Sequence, residues 1–234
     1  MANAMLCVFE GARTEKQIFE NIKKTFFRDS SVICTVYYGT DIYQLWKELE
    51  EDEFLDLTEV LRERNPNNEQ ALAERTRDDF SEVHLFFDYD GHATLANDEI
   101  ISKMLALFNN ETEHGKLYVS YPMIEAIKDI PANFISHTVP AKQNIHYKKI
   151  LEKSPYQNLR LLSHAQWKKI IEANLEKAIA ITSDDRPTQA SIFTKQKEDY
   201  IDPKGEVSVL SGIPFFIIDY FEDYTQHLSS QETP

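Results

Sequence analysis

Three carboxylates in this chain stand where apolar runs end. Glu10 closes the run Leu6-Cys7-Val8-Phe9 and is followed by Gly11. Asp88 and Asp90 close Val83-His84-Leu85-Phe86-Phe87, and Gly91 comes next. Both runs read as buried strands. Acids at i and i+2 of an extended chain face the same way, about 6–7 Å apart, while Tyr89 between them faces the other way. In an open parallel sheet the carboxyl ends of adjacent strands line one crevice, so Glu10 is expected to meet the Asp pair there. Three such groups do not all stay ionised at close range without a counter-charge. A divalent cation is the simple remedy, and an all-oxygen donor set favours Mg²⁺ or Mn²⁺ over zinc. Gly11 and Gly91 would let backbone or phosphate approach closely. The competing reading is that an acid followed by glycine at a strand end is only a turn residue.

Glu125 is the fourth acid of interest. It follows an apolar strand at 116–120 and the turn Tyr121-Pro122, on a short helix expected over 123–130. There it is either a metal ligand or a solvated helix residue. With a second cation, the four acids would form the two-metal clamp that stabilises attacking and leaving oxygens in phosphodiester cleavage. Such chemistry also needs cations near the scissile phosphate. Arg13 and Lys16 follow the Glu10-Gly11 turn, His92 follows Asp90-Gly91, and Lys142, Lys148 and Lys149 form a basic strip. The competing reading of each is ordinary surface, and of His92 a turn cap. His84, in mid-strand, is expected to be packed core. Cys7 and Cys34 are two isolated thiols, expected to be buried and unbridged, with too few partners for a zinc site.

The elements that would position these groups follow a βαβα rhythm. After the first strand, Ile18, Ile22 and Phe26 recur at helical spacing over 14–27, with Thr14 as cap and Gln17 as its capping-box partner. Residues 31–38 are β-branched and aromatic, hence a strand, and a helix starts at Asp41. Residues 50–80 interrupt the rhythm as a mostly helical insertion with a loop at Asn65-Pro66-Asn67-Asn68 and a charged helical stretch to Asp79; the acidic run Glu50–Glu53 reads as solvated surface. A helix is expected over 98–108. Beyond Pro131 helices are expected at 163–180 and 192–200. The apolar segment 207–221 returns as a strand or a docked helix, and the chain past Gln226 is expected to fray. The division is a catalytic unit over 1–130 and an extension over 131–234 that serves substrate or partner binding.

The 234 residues carry 25 Lys and Arg against 39 Asp and Glu, a net charge of −14. This excludes a small basic module that holds nucleic acid by bulk electrostatics. It leaves open chemistry on nucleic acid through bound metal, a local basic face or a basic partner. Hydrophobic residues make up 42% and aromatic residues 12%, enough for a sizeable core. No apolar stretch approaches a membrane span, and no basic leader precedes Glu10, so a cytoplasmic protein is expected. No GxxxxGK phosphate loop is present, so any ATP hydrolysis would fall to a partner.

The segments Leu6-Cys-Val-Phe-Glu-Gly-Ala-Arg-Thr-Glu15 and Val83-His-Leu-Phe-Phe-Asp-Tyr-Asp-Gly-His92 resemble the two motifs of TOPRIM domains. Those domains occur in topoisomerases, bacterial primases, recombination proteins and overcoming-lysogenisation-defect (OLD) nucleases. The family glutamate matches Glu10 and its Asp-x-Asp matches Asp88 and Asp90. The long intervening gap and Tyr121-Pro-Met-Ile-Glu125 are more similar to the stand-alone or OLD-type nucleases of phage-defence systems, where Glu125 would match a further metal-binding glutamate. The resemblance spans residues 4–130. It implies an α/β, Rossmann-like central parallel sheet flanked by helices, here with a helical insertion and a mixed α/β C-terminal extension. It further implies Mg²⁺ on the acids and endonuclease action on DNA or RNA, tRNA included. As the toxic effector of an abortive-infection defence, the chain would answer to a regulatory ATPase. The expected partners are thus a nucleic-acid substrate, that ATPase and a second copy as homodimer, with no membrane. Two alternatives stand beside this: a Mg²⁺-dependent phosphatase or other phosphoryl-transfer enzyme, and an acidic regulatory protein without catalysis. Haloacid-dehalogenase-like phosphatases place their Asp-x-Asp on the first strand, whereas here that strand ends in Glu-Gly.

Overall fold

The structure is a computed structural model that describes residues 4–27, 31–51, 56–143, 145–221 and 223–229. β1 (Ala4–Phe9) is buried at every position, as a strand covered on both faces must be. α1 (Thr14–Phe26) follows and buries Ile18, Ile22 and Phe26 together with Phe19 and Asn21. Next come β2 (Val32–Tyr37), α2 (Ile42–Glu51) and α3 (Leu57–Arg64). A 3₁₀ turn at Pro66–Asn68 leads into α4 (Glu69–Leu72). β3 (Glu82–Asp88), α5 (Asp98–Leu107), β4 (Asn109–Asn110) and β5 (Gly115–Ser120) complete the main sheet. Its order is β2-β1-β3-β5-β4. The first four strands are parallel, and the two-residue β4 runs antiparallel along the edge. From β1 the chain winds outward to β2, then crosses back to place β3 on the other side of β1. The strand order therefore reverses between β1 and β3, and in such sheets ligands bind in the crevice beyond the strand ends at that point.

The rest of the chain is built onto this sheet. β6 (Thr138–Pro140) pairs antiparallel with a later strand, and α6 (Tyr147–Ile150) is one turn. α7 (His164–Thr182) is capped by Ser163 in a capping box with Gln166. α8 (Gln189–Gln196) continues through a π-helical turn at Lys197–Ile201 into α9 (Asp202–Lys204). β7 (Glu206–Ser208) is the partner of β6, and α10 (Ile213–Tyr220) and α11 (Tyr224–Ser229) follow. Tyr121 and Leu210 exchange backbone hydrogen bonds of 2.7 and 2.9 Å just past β5. Beside that bridge, Gly212 donates its N–H to Ser120 Oγ at 3.1 Å. A Cβ at Gly212 would lie 2.9 Å from the Val119 carbonyl, so only glycine permits this approach. Phe216 of α10 then packs against Phe86 at 5.2 Å and Tyr118 at 5.8 Å between ring centroids.

The expected α/β sheet with flanking helices, helical insertion and mixed extension is present, although the sheet, expected to be parallel, carries an antiparallel edge strand, and 207–221 supplies both a strand and a docked helix. Several local expectations need correction. The helix expected at 123–130 is a 3₁₀ helix at Ile124–Lys128. The charged stretch after Pro66 stays α-helical only to Leu72, with a 3₁₀ turn at Arg77–Asp79. Tyr224–Ser229 is helical although fraying was expected past Gln226. Of the acidic run, Asp52 and Glu53 lie outside the described residues. Thr14 does not cap α1: Arg13 holds the cap position and no side chain caps the helix there. Cys7 and Cys34 are free and buried, as expected. Among the described residues no helix is long and apolar enough to cross a membrane.

Candidate metal and phosphate site

The acids meet beyond the ends of β1 and β3. The Asp88 backbone N–H donates to Glu10 Oε2 at 3.0 Å, which ties the two strand ends together. Asp88 Oδ1 in turn accepts the Ile124 N–H at 2.7 Å. That bond seats the 3₁₀ helix so that Glu125 joins the group. Glu125 Oε1 accepts the Thr14 hydroxyl at 2.9 Å and lies 3.4 Å from Lys148 Nζ. The hydroxyl expected to cap α1 therefore orients an acid of the site instead. Asp88 is 6% and Glu125 3% exposed.

Asp90 reaches the site by a different route from the one its spacing implies. β3 ends at Asp88, and Asp90 adopts the left-handed conformation, φ 43°. An extended i, i+2 pair therefore does not form. The reversal puts Asp90 Oδ1 3.5 Å from His92 Nδ1. Tyr89 turns away as expected, donating its hydroxyl to Asp98 Oδ1 at 2.6 Å. The two glycines also differ from expectation. A Cβ at Gly91 would lie 2.5 Å from the Tyr89 ring and 2.7 Å from the Ala141 carbonyl; at Gly11 it would lie 2.9 Å from Glu15 Oε1. Both spaces are filled by the protein itself, not left for phosphate.

Glu15 is the acid that sequence reasoning missed. It lies one residue into α1, where an acid ordinarily reads as a solvated partner of the helix dipole. Here it is buried and accepts the Gly11 N–H at 3.1 Å. Its one readable signal is its place, five residues after Glu10 on the same strand-to-helix connection.

Crowding shows in the proton affinities. Burial pushes Glu10 up to about 8; the Asp88 N–H opposes this, and Asp90, Glu15 and Asp41 add to it. Asp88 is raised well above the usual carboxylate range, first by burial and then by Glu10 and Glu125. Burial also raises Asp90 against the pull of His92, and raises Glu15. Burial lowers Lys148, but the Glu125 carboxylate outweighs it and holds the ammonium charged.

Two buried oxygens are left over. Glu125 Oε2 and Asp90 Oδ1 accept no hydrogen bond. A buried polar atom that makes no hydrogen bond calls for a partner, and a water or an ion is one that would serve. Among the described residues no three His, Cys, Asp or Glu side chains form a group that could hold a metal ion. The acids are therefore not a ready cage. The donor set nonetheless suits a hard cation, because Mg²⁺ is usually held by one or two carboxylates, with water and substrate phosphate completing its shell.

The basic residues divide. Lys148, Lys149 and His92 line a cleft of about 280 Å³ that opens beside Asp90. Lys142 is exposed and pairs with Asp98 at 3.3 Å. Arg13 and Lys16 are exposed at the start of α1. His84 is packed core as expected, its ring 4.9 Å from that of Phe216. Comparison of the chain with protein-family models, with curated proteins and with solved structures gives no match.

Proposed function

We propose that the protein is a Mg²⁺-dependent endonuclease that hydrolyses phosphodiester bonds of nucleic acid. The observation that carries this reading is the convergence of Glu10, Asp88, Asp90 and Glu125 at the switch point between β1 and β3, two of them with a buried oxygen that accepts no hydrogen bond. A cation there would be held by one or two of these acids, with water and substrate phosphate completing its shell, and would supply Lewis-acid stabilisation of the phosphate and a more acidic bound water.

The chain's own groups have separate tasks. The Ile124 and Asp88 N–H groups fix the carboxylates of Asp88 and Glu10 without neutralising them. Thr14 and Lys148 hold Glu125. Lys148 and Lys149 offer positive charge to phosphates entering by the cleft. His92 Nδ1 faces Asp90, which leaves Nε2 as the ring atom able to pass a proton to a departing oxygen. Asp88, buried and held through Oδ1, is badly placed to act as the nucleophile of a phosphatase. The sequence resemblance adds a setting to this reading: a defence effector restrained by an ATPase partner, with residues 131–234 serving substrate or partner choice.

The test compares plasmid DNA and total tRNA as substrates, with Mg²⁺ or Mn²⁺, for wild type, Glu10→Gln and Asp88→Asn. Both substitutions keep side-chain shape while removing a negative charge. Cleavage that requires metal and disappears in both variants is the expected result. Cleavage that persists unchanged in the variants overturns the assignment.

A further inference from the structure

The cleft beside the acids has an apolar wall that phosphate chemistry does not use. Met123, Pro140, Ile145 and Tyr147 line it, while Lys148 and Lys149 stand among the residues at its side and Asp90 joins it to the acids. Its volume, about 280 Å³, lies just below the range of about 300–1,000 Å³ for pockets that enclose a whole drug-sized ligand.

The wall is rigid. Tyr147 is buried, and its hydroxyl donates to Asp129 Oδ2 at 2.6 Å; the same oxygen lies 2.8 Å from His137 Nε2. Ala141, which also lines the cleft, packs its carbonyl close against Gly91. The recess thus joins an apolar wall to the ammonium groups of Lys148 and Lys149 and to the carboxylate of Asp90.

A nucleic-acid strand offers matching parts: a flat apolar base on each sugar, and a phosphate on either side. In a duplex the base faces are stacked out of reach and only their edges show in the grooves. An unpaired nucleotide can lay its base against apolar and aromatic side chains while its phosphates stay with cations. The net charge of −14 gives a duplex no bulk attraction, so recognition has to come from local contacts of this kind.

We propose that this cleft holds one unpaired nucleotide of the substrate strand. Its base lies against Met123, Pro140, Ile145 and Tyr147, and its flanking phosphates lie at Lys148 and Lys149. The enzyme therefore selects single-stranded or extruded nucleotides over continuous duplex. The identity of the ligand as nucleic acid rests on the nuclease reading above.

Fluorescence anisotropy tests this with Ca²⁺ in place of Mg²⁺. The probes are a short labelled single-stranded DNA, an RNA of the same sequence and the blunt DNA duplex. At least one single strand should bind about tenfold or more tighter than the duplex, and the DNA and RNA arms identify which sugar is accepted. Ile145 is only partly buried, so Ile145→Trp, which fills the cleft, and Ile145→Asp, which makes its wall polar, should both fold. Each should weaken single-strand binding about tenfold, with an unchanged melting temperature. Lys149→Gln should lower the slope of log affinity against log salt by about one. Equal or tighter binding of the duplex, no binding of either strand, or full binding by both Ile145 variants overturns the proposal. Cleavage is scored separately. Single strands bound in the cleft but never cut would sink the nuclease reading alone, whereas duplex and single strand bound and cut equally would sink the cleft alone.

Discussion

Asp88 and Glu125 lie almost wholly out of water; Glu125 has Lys148 beside it, but Asp88 is held through a neutral N–H that leaves its charge largely uncompensated. Burying an ionised carboxylate in this way is costly unless something neutralises it, and burial together with Glu10 and Glu125 raises the proton affinity of Asp88. Lys177 is the opposite case. It has no exposed surface, donates to the His137 carbonyl at 2.7 Å and lies 4.4 Å from the Phe134 ring centroid. Burial brings it down to about 7, although Asp129 pulls the other way. The unfolded chain keeps this proton up to the ordinary lysine value near 10.5, while the folded chain gives it up near 7. Between those limits the unfolded state binds more protons, so stability rises with pH. Below about pH 7 both states are protonated and the full cost of burying the ammonium is felt. Compared with Lys177→Met, wild type should gain up to about 1.4 kcal/mol of stability per pH unit between about pH 7 and 10. Urea unfolding at pH 6, 8 and 9.5 measures the difference. A constant gap between the two proteins across that range would show that Lys177 does not change protonation on unfolding.

At the scale of elements, α1 links the site to the extension. Its first turn supplies Thr14 and Glu15 to the acids. Its middle is pinned by Asn21, whose Nδ2 donates to the carbonyls of Arg160 and Leu162 at 2.9 and 3.2 Å and whose Oδ1 accepts the Trp167 indole N–H at 2.5 Å. Asn21→Ala leaves all three partners without this bond. That should cost about 2–3 kcal/mol and lower the melting temperature by roughly 5–10 °C. Calorimetry checks it, and a shift below about 2 °C would mean that these groups find other partners. Neither Asn21 nor its role was readable from sequence, since an asparagine amid helical spacing carries no sign of a bond to a segment far along the chain. The strands were readable because β1 and β3 are nearly unbroken apolar runs, as doubly covered strands must be. Glu10 and Asp88 were readable for the same reason, each being the first charge after such a run. Asp90 was found by its spacing, but its left-handed backbone was not, because the spacing rule assumes that the strand continues. β4, β6 and β7, at two or three residues each, are too short for alternation to show. Their pairing is imposed by tertiary contacts.

For the whole molecule, one hydrophobic core runs from Ala4 to Leu228. Phe216, far along the chain, sits among the rings of Phe86, Tyr118, His84 and Phe19 from the sheet and α1. Trp167 packs edge-on against Phe26, 5.6 Å between centroids. Apolar surface shared in this way leaves neither the sheet nor the extension able to bury its own face alone. The two should therefore melt together, and residues 1–130 made alone should lack fixed packing. The chain has two tryptophans, Trp46 beside the sheet and Trp167 in the extension. Trp46→Phe leaves Trp167 as the single indole, so its fluorescence reports the extension while far-UV circular dichroism reports the whole. The two signals should give coincident midpoints. Phe216→Ala, which empties the centre of the shared cluster at a cost of about 3–5 kcal/mol, should move both midpoints down together, on the order of 10 °C. Early loss of the Trp167 signal while most secondary structure persists would instead divide the molecule into two units. In that case the cleft wall at Pro140, Ile145 and Tyr147 would be able to leave the acids without unfolding the sheet.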